Sequence, residues 1–289
     1  MTYLESISNK LYEQKVDKKT LEKWQSLIQK LQTLDSAIIS YSGGVDSTFL
    51  AYVASLVMAE RSCAIYINTG LDPVYQKNLA KQWAIRAGFC FRILEYPLLQ
   101  NPQFVKNPPN RCYICKLSML NLLQDFAKDN QYKVILEGQN ADDLNDYRPG
   151  RQAVIETGTL SPLAEVGLAK TEIRILSRIL NLPVWDLPSS PCLATRFPYN
   201  NLITEEGLQR VQSAEQFLTK LGFRNIRVRM HQDLARIEVD SEEIVDLINN
   251  KEEVVSFFND IGFLYISVDL KGYRQGSLNE GVKNEHNIL

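Results

Sequence analysis

Histidine is scarce in this chain: only His231 and His286 are present, so a zinc site of four nitrogen and sulfur ligands has little to draw on. No run of about 18 apolar residues occurs, which excludes a membrane-spanning helix. The start, Met1 to Ser6, lacks a basic stretch leading into an apolar one. No signal peptide is therefore expected, and a cytoplasmic protein is. Positive charge is not in excess: 32 Lys and Arg face 34 Asp and Glu, for a net charge of −2. That balance argues against a general nucleic-acid binder while leaving room for a local basic patch. Internal repeats and low-complexity segments are missing. Cysteines number five, an odd count with two in a Cys-x-x-Cys pair, which points to metal or redox chemistry rather than a disulfide framework. What remains is a chain of 289 residues, 45% apolar, long enough for one large domain or two ordinary ones.

Apolar periodicity divides this chain. Residues 1–34 form an N-terminal helical segment, with Leu and Ile at helical spacing over 4–32, as a hairpin or one long helix. From 35 to 187, strands alternate with helices. Ala37–Tyr41, Cys63–Asn68, Cys90–Glu95 and Lys133–Glu137 read as strands. Thr48–Ala59, Pro73–Ala87, Lys116–Lys128 and Lys170–Leu180 read as helices, and Pro97–Arg111 as a loop. This rhythm predicts an α/β fold, a parallel, doubly wound sheet with helices on both faces. Ligands of such sheets bind beyond the carboxyl ends of the strands, where Ser42–Ser47, Asn68–Gly70 and Glu137–Asn140 fall. Residues 188–202, rich in proline and carrying Cys192, are expected to be a mobile linker. Residues 203–275 change pattern to a small α+β domain. Its expected elements are helix Glu205–Leu221 closed by Gly222, antiparallel strands Asn225–His231 and Ala235–Val239, helix Ser241–Phe258 capped by Ser241, and strand Phe263–Leu270. The tail, 276–289, is polar and expected to fray.

Ser42-Gly43-Gly44-Val45-Asp46-Ser47 joins the first strand of the alternating region to its helix. Glycines let the main chain approach a ligand, and a helix start aims N–H groups and a dipole at it, which suits a phosphate. The Gly-Lys-Ser/Thr ending of the common P-loop is absent, so this is a different cradle. Main-chain N–H groups and the hydroxyls of Ser42 and Ser47 are candidate donors to β- and γ-phosphates. Asp46 is a candidate helix cap or Mg²⁺ ligand. Asn68 and Thr69 are candidates for adenine and ribose. Lys170 is a candidate phosphate lysine, against the plain alternative of a solvated one. The acidic run from Glu137 to Gly150, with Asp146, reads as positioning nucleotide, Mg²⁺ and substrate, against a turn of solvated acids. Cys112 and Cys115 lie in a loop entering a helix, and Cys192 lies in a second loop. Three thiolates leave one coordination position open, which fits an iron–sulfur cluster with one available iron; Cys192 alone could instead be a nucleophile. Cys63 and Cys90, at strand starts, are expected to be buried structural cysteines. Alternation puts Arg227, Arg229 and His231 on one strand face, and Arg236 with Glu238 on one face of the next. If these strands pair, the polar faces coincide, and the arginines suit a phosphate or carboxylate; the alternative is a salt-bridged, solvated face.

Ser-Gly-Gly-x-Asp-Ser resembles the PP-loop of ATP pyrophosphatases, which split ATP into AMP and pyrophosphate while adenylating a carboxylate or carbonyl. Over residues 20–275 the chain looks like a member of the LarE family, the sulfur transferases of nickel-pincer cofactor synthesis in lactate racemase maturation. Beyond the PP-loop, Asn145-Asp146-Tyr147-Arg148-Pro149-Gly150, Arg196-Phe197-Pro198-Tyr199, and Arg227-x-Arg229 followed by Asp233-Leu234-Ala235-Arg236-Ile237-Glu238 carry that resemblance. It implies adenylation of pyridinium-3,5-biscarboxylic acid mononucleotide by ATP with Mg²⁺, then conversion to thiocarboxylates. One branch of the family surrenders the sulfur of a single cysteine, at the position of Cys192, and leaves dehydroalanine. Another holds a [4Fe-4S] cluster on three cysteines and transfers sulfide delivered from an external source; Cys112, Cys115 and Cys192 match that branch. The resemblance further implies that Arg227 and Arg229 bind the substrate phosphate with Glu238. It makes Glu215, Glu238 and Asp246 an acidic metal cluster, and puts Arg196 at the cysteine loop near the adenylate. A homo-oligomer around the small domain is also implied. Other readings are a tRNA-thiolating PP-loop enzyme, an amidotransferase of the NAD-synthase or GMP-synthase kind, and a metal-storage or scaffold protein. The charge balance and the lack of an RNA-binding appendage argue against the first, and the second has no use for three loop cysteines.

Overall fold

A computed structural model describes residues 3–145, 149–188 and 191–274. The chain forms two compact units. The first comprises Met1–Gly70, Val74–Pro97 and Cys112–Ser190, the second Leu71–Pro73, Leu98–Arg111 and Pro191–Leu289.

In the first unit, the N-terminal segment is two helices, α1 (Tyr3–Glu13) and α2 (Lys18–Gln32). The break falls at Lys15, with φ of 55°, and Asp17 caps α2 by accepting the Thr20 N–H. Then follow β1 (Ala37–Tyr41), α3 (Val45–Met58), β2 (Ser62–Asn68), α4 (Val74–Ala87) and β3 (Phe91–Glu95). The strands pair in the order β3-β2-β1-β4, where β4 is Val134–Glu137, and every pairing is parallel. Side-chain alternation splits β1 between two cores. Ala37, Ile39 and Tyr41 join Trp24, Phe49 and Leu176 on one side, while Ile38 joins Ile65, Leu120 and Leu123 on the other. Apolar layers on both faces explain why the central strands read as continuous apolar runs, and make the sheet doubly wound as expected.

Four local differences follow from tertiary packing. The helix expected from Lys116 starts at Arg111 and runs to Asp129, so Cys112 and Cys115 occupy a first helical turn, not a loop. It lies beyond a short α5 (Pro102–Val105), which is capped by Asn101, and is numbered α6. Two short helices, α7 (Gly150–Glu156) and α8 (Pro162–Glu165), fill the stretch before α9 (Lys170–Ile179). Leu160 donates its N–H to the Ile135 carbonyl and accepts from the Glu137 N–H, an edge bridge alongside β4. Finally, Cys63 and Cys90 are joined in a disulfide, with Cα atoms 4.7 Å apart. The β2–β3 register pairs Ala64 with Phe91 and so brings the residues just before them together. Cys63 is buried as expected, but Cys90 is exposed.

The second unit contains α10 (Glu205–Lys220), β5 (Arg227–His231), β6 (Leu234–Glu238), α11 (Ile244–Asn249), α12 (Lys251–Asp260) and β7 (Tyr265–Val268). Thr204 caps α10, and Gly222 closes it at φ +104°. The sheet order is β5-β6-β7, antiparallel then parallel, as a helical crossover between β6 and β7 requires. The single helix expected over 241–258 is divided. Ser241–Glu243 is a 3₁₀ turn following Asp240, and Asn250 ends α11, its side chain donating to the Asp246 carbonyl. The expected linker is packed over its described part: Leu193, Ala194 and Phe197 are at most 2% exposed. Its backbone is hydrogen-bonded within the unit, Asn200 N–H to the Asn107 carbonyl and Ile203 N–H to that of Val105. Among the described residues no helix is long and apolar enough to cross a membrane.

Candidate ATP loop and cysteine loops

Between β1 and α3, the loop turns at Gly43, where φ is +76°. A Cβ there would stand 2.8 Å from that of Ala80, so both conformation and space demand glycine. Gly44 is the extended residue before α3. The hydroxyls knit the turn: Ser42 Oγ and Ser47 Oγ are 3.0 Å apart, Gly44 N–H donates to Ser42 Oγ, and Ser42 N–H donates to Ser47 Oγ. The first N–H groups of α3 lack intrahelical acceptors and open toward the same spot. From the other side β4 closes in. A Cβ on Gly138 would lie 2.9 Å from the Ser47 nitrogen, so only glycine lets the end of β4 pass the start of α3.

Lys170 reaches this loop, although 124 residues separate it from Asp46: its Nζ donates to Asp46 Oδ2 at 2.6 Å. The lysine is held at the start of α9 by its own N–H on Asp142 Oδ2, 2.9 Å, while Asn140 and Asp143 shape the preceding turn. Burial pushes the Asp46 carboxyl above its ordinary value, outweighing the contact with Lys170. Its Oδ1 is buried with no hydrogen-bond partner among the described residues, which leaves an acceptor for a cation. Thr69 is buried beside the loop's strand end, whereas the Asn68 side chain donates to Glu95 at 2.5 Å. Asp146 lies outside the described residues.

On α6, Cys112 and Cys115 stand three residues apart and so share one helix face; neither is in a disulfide. One turn on, Lys116 reaches the buried Glu137 at the end of β4, 3.0 Å, and Ser161 donates to the same carboxylate at 2.7 Å. Sequence analysis put Glu137 and Gly138 at this ligand edge but missed Lys116 and Ser161 as the partners of Glu137.

In the second unit, Cys192 precedes a 3₁₀ turn, Leu193–Arg196, and is not in a disulfide. Arg196, 3% exposed, braces the turn. Its Nε and Nη2 each donate to Glu215 at 2.9 Å, and its Nη1 donates to the Pro191 and Cys192 carbonyls and the Thr195 hydroxyl. Glu215 in turn accepts the Val228 N–H of β5, 3.0 Å. Arg227 faces Glu238 across the β5–β6 pair and Arg229 faces Arg236, so the polar faces coincide as expected. Arg229 grips the fully buried Glu238 through two bonds, 3.0 and 2.9 Å, and donates to the Thr195 carbonyl at 2.7 Å. Arg236 adds a third bond to Glu238. Arg227 makes no ion pair among the described residues and lies 5.0 Å over the Tyr273 ring. Burial, then the charge of Arg196, lowers its hold on its proton. His231 is likewise pushed down by burial and by Arg236 and Arg229.

The acidic cluster implied by the resemblance is not assembled. Glu215 and Glu238 anchor arginines, Asp246 is exposed in the first turn of α11, and no three His, Cys, Asp or Glu side chains are grouped to hold a metal among the described residues. Cys112, Cys115 and Cys192, three thiols outside disulfides, are soft ligands that suit an iron–sulfur group. Two of them belong to the first unit and one to the second. Sequence reading also missed Arg111, 2% exposed, which donates to Asn107 at 2.5 Å and stacks 4.7 Å over Tyr199.

No family model matches the chain. An uncharacterised protein of Synechocystis is 43% identical over 262 residues, covering 89% of this chain and 97% of that one. Pyridinium-3,5-bisthiocarboxylic acid mononucleotide synthase of Lactiplantibacillus plantarum is 33% identical over 258 residues, covering 88% and 93%. A subunit of the glutamine-hydrolysing GMP synthase of Methanococcus maripaludis is 28% identical over 163 residues, half of each chain.

Proposed function

Because the chain belongs to the LarE family of pyridinium-3,5-bisthiocarboxylic acid mononucleotide synthases, a family of ATP-using PP-loop enzymes, we propose that it turns the carboxylates of pyridinium-3,5-biscarboxylic acid mononucleotide into thiocarboxylates for a nickel-pincer cofactor. The observation that carries the reading is the glycine cradle at Ser42–Ser47, with Lys170 delivered to it across the fold.

A carboxylate is a poor electrophile. In the proposed reaction its oxygen attacks the α-phosphorus of ATP, the α–β bridging bond breaks, and pyrophosphate leaves. The α3 N–H groups, Ser42, Ser47 and Lys170 are the donors to the departing phosphates, and the spare oxygen of Asp46 is an acceptor for Mg²⁺. Asn68, Thr69 and Asp146 are the proposed nucleotide contacts. Sulfur then adds to the acyl carbon and AMP leaves. Arg227 and Arg229, with Glu238, are the proposed substrate-phosphate residues. Arg227 has the spare donors and a destabilised proton that an anion would repair, while Arg229 and Glu238 hold one another. Arg196 acts as a positioning residue for the Cys192 loop. Cys112, Cys115 and Cys192 would hold a [4Fe-4S] group, which supplies a soft sulfide nucleophile at neutral pH and is reloaded from an external sulfide source. The protein works in the cytoplasm, as a homo-oligomer through its smaller unit.

Anaerobic purification with iron and sulfide analysis, followed by turnover with ATP and the dicarboxylate, tests this. About four irons per chain, with pyrophosphate, AMP and thiocarboxylate formed over several turnovers, is expected. Iron-free protein that thiolates once and loses one cysteine sulfur would replace the cluster with a sacrificial Cys192. No pyrophosphate release with the dicarboxylate would sink the adenylation step itself.

A further inference from the structure

Cys63 and Cys90 stand at the amino ends of β2 and β3, whereas the ATP loop follows the carboxyl end of β1. Nothing in the sulfur-transfer chemistry uses them. Cys63 is 1% exposed, but its disulfide partner Cys90 is exposed. Cys90 also lines an open groove of about 740 Å³ within the first unit, together with Tyr52, Ser55, Glu60, Arg86 and Asn181. We propose that this groove is a thiol–disulfide exchange site, in which a small thiol bearing both a carboxylate and an ammonium group attacks Cys90.

Access fixes the direction of the chemistry. Exchange requires a thiolate to reach one sulfur of the disulfide while the other leaves. Cys90 is the sulfur-bearing residue at the groove, so Cys63 is the leaving group. The incoming thiolate bonds to Cys90 Sγ, the Cys63–Cys90 bond breaks, and Cys63 departs as a thiolate that takes a proton. A second thiol attacks the mixed disulfide at the external sulfur. The products are the oxidised small disulfide and two protein thiols, so two electrons pass from two small thiols to the pair. Charge selects the thiol: Arg86 and Glu60 are both exposed on the groove, offering a cation for a carboxylate and an anion for an ammonium group. In surroundings kept reducing by small thiols, a disulfide with one exposed cysteine is an exchange partner rather than a permanent brace.

The test uses the full chain, purified without reductant and quenched with an alkylating agent for peptide mapping. Cysteine and glutathione serve as zwitterionic probes and 2-mercaptoethanol as a neutral one, compared at equal thiolate concentration. The mixed disulfide is expected on Cys90 with Cys63 alkylated, and the zwitterionic thiols should react about fivefold faster than the neutral one. Arg86→Ala and Glu60→Gln should remove that advantage, leaving ATP-dependent pyrophosphate release unchanged. A Cys63→Ser chain, which has no disulfide to be attacked, should take up no adduct from the reduced thiols. Adduct on Cys63, equal rates for all three thiols, or full alkylation of Cys63 and Cys90 before any thiol is added would each overturn the proposal.

Discussion

Asp46 and Lys170 show how a site is made from two weak propositions. Buried without help, the Asp46 carboxyl is pushed up; with Lys170 on one oxygen it keeps the other for a cation. Replacing Lys170 by Ala removes the one side-chain cation delivered to the loop by α9. Pyrophosphate release should fall by about 10²-fold, the scale of losing one preorganised donor to developing charge, and Lys170→Arg should recover part of it. An unchanged rate in the alanine variant would assign the lysine to stability alone. In the second unit, Glu215 ties Arg196, and through it the Cys192 carbonyl, to β5. Glu215→Gln should leave ATP binding by titration unaltered and lower thiocarboxylate formation at least about tenfold, because a loosened loop misplaces its sulfur. Equal loss of both would point to general unfolding instead.

Among the elements, the meeting of β4 with α3 sets the ATP loop. Gly138 allows a backbone-to-backbone approach that a methyl group would block at 2.9 Å, and backbone cannot swing aside as a side chain can. Gly138→Ala is expected to cost about 1–3 kcal/mol of stability and to abolish ATP binding, measured by denaturant titration and by nucleotide binding. Full affinity in a folded variant would show that the loop tolerates displacement. The cysteine helix teaches a different lesson. Its start at Arg111 was illegible because Cys, Tyr and Ile in that turn are weak helix formers. Arg111 nevertheless folds into helix, its N–H on the Pro108 carbonyl and its guanidinium stacked on Tyr199.

At the scale of the molecule, Glu172 joins α2 to the α9 that carries Lys170. It accepts from Thr20, from Lys23 through both oxygens, and from the Ala169 N–H. Burial alone would raise its carboxyl, but the Ala169, Lys23 and Thr20 bonds prevail and hold it below the ordinary 4.5. The ionised form is thus favoured by folding. Its contribution is complete above about pH 4.5 and fades as pH falls through the lower folded value. Glu172→Gln should be less stable at pH 7 by about 1–3 kcal/mol, and urea titrations of the two proteins should converge as pH drops toward 3. Curves that stay parallel would remove Glu172 from the acid response.

The sequence by itself determined the alternation of strand and helix, the parallel sheet, the glycine cradle after β1 and the facing arginine strands. These depend on the period of apolar residues and on local backbone chemistry, which neighbours in the chain settle between themselves. Only the tertiary structure decided that Lys170 meets Asp46, that Glu215 and Glu238 pair with arginines, that Cys63 finds Cys90, and that the stretch around Cys192 is packed. Each depends on which buried charge or sulfur finds a partner many residues away. A buried ionic group must be satisfied by whatever the fold brings within about 3 Å, and no pattern along the chain states what that is.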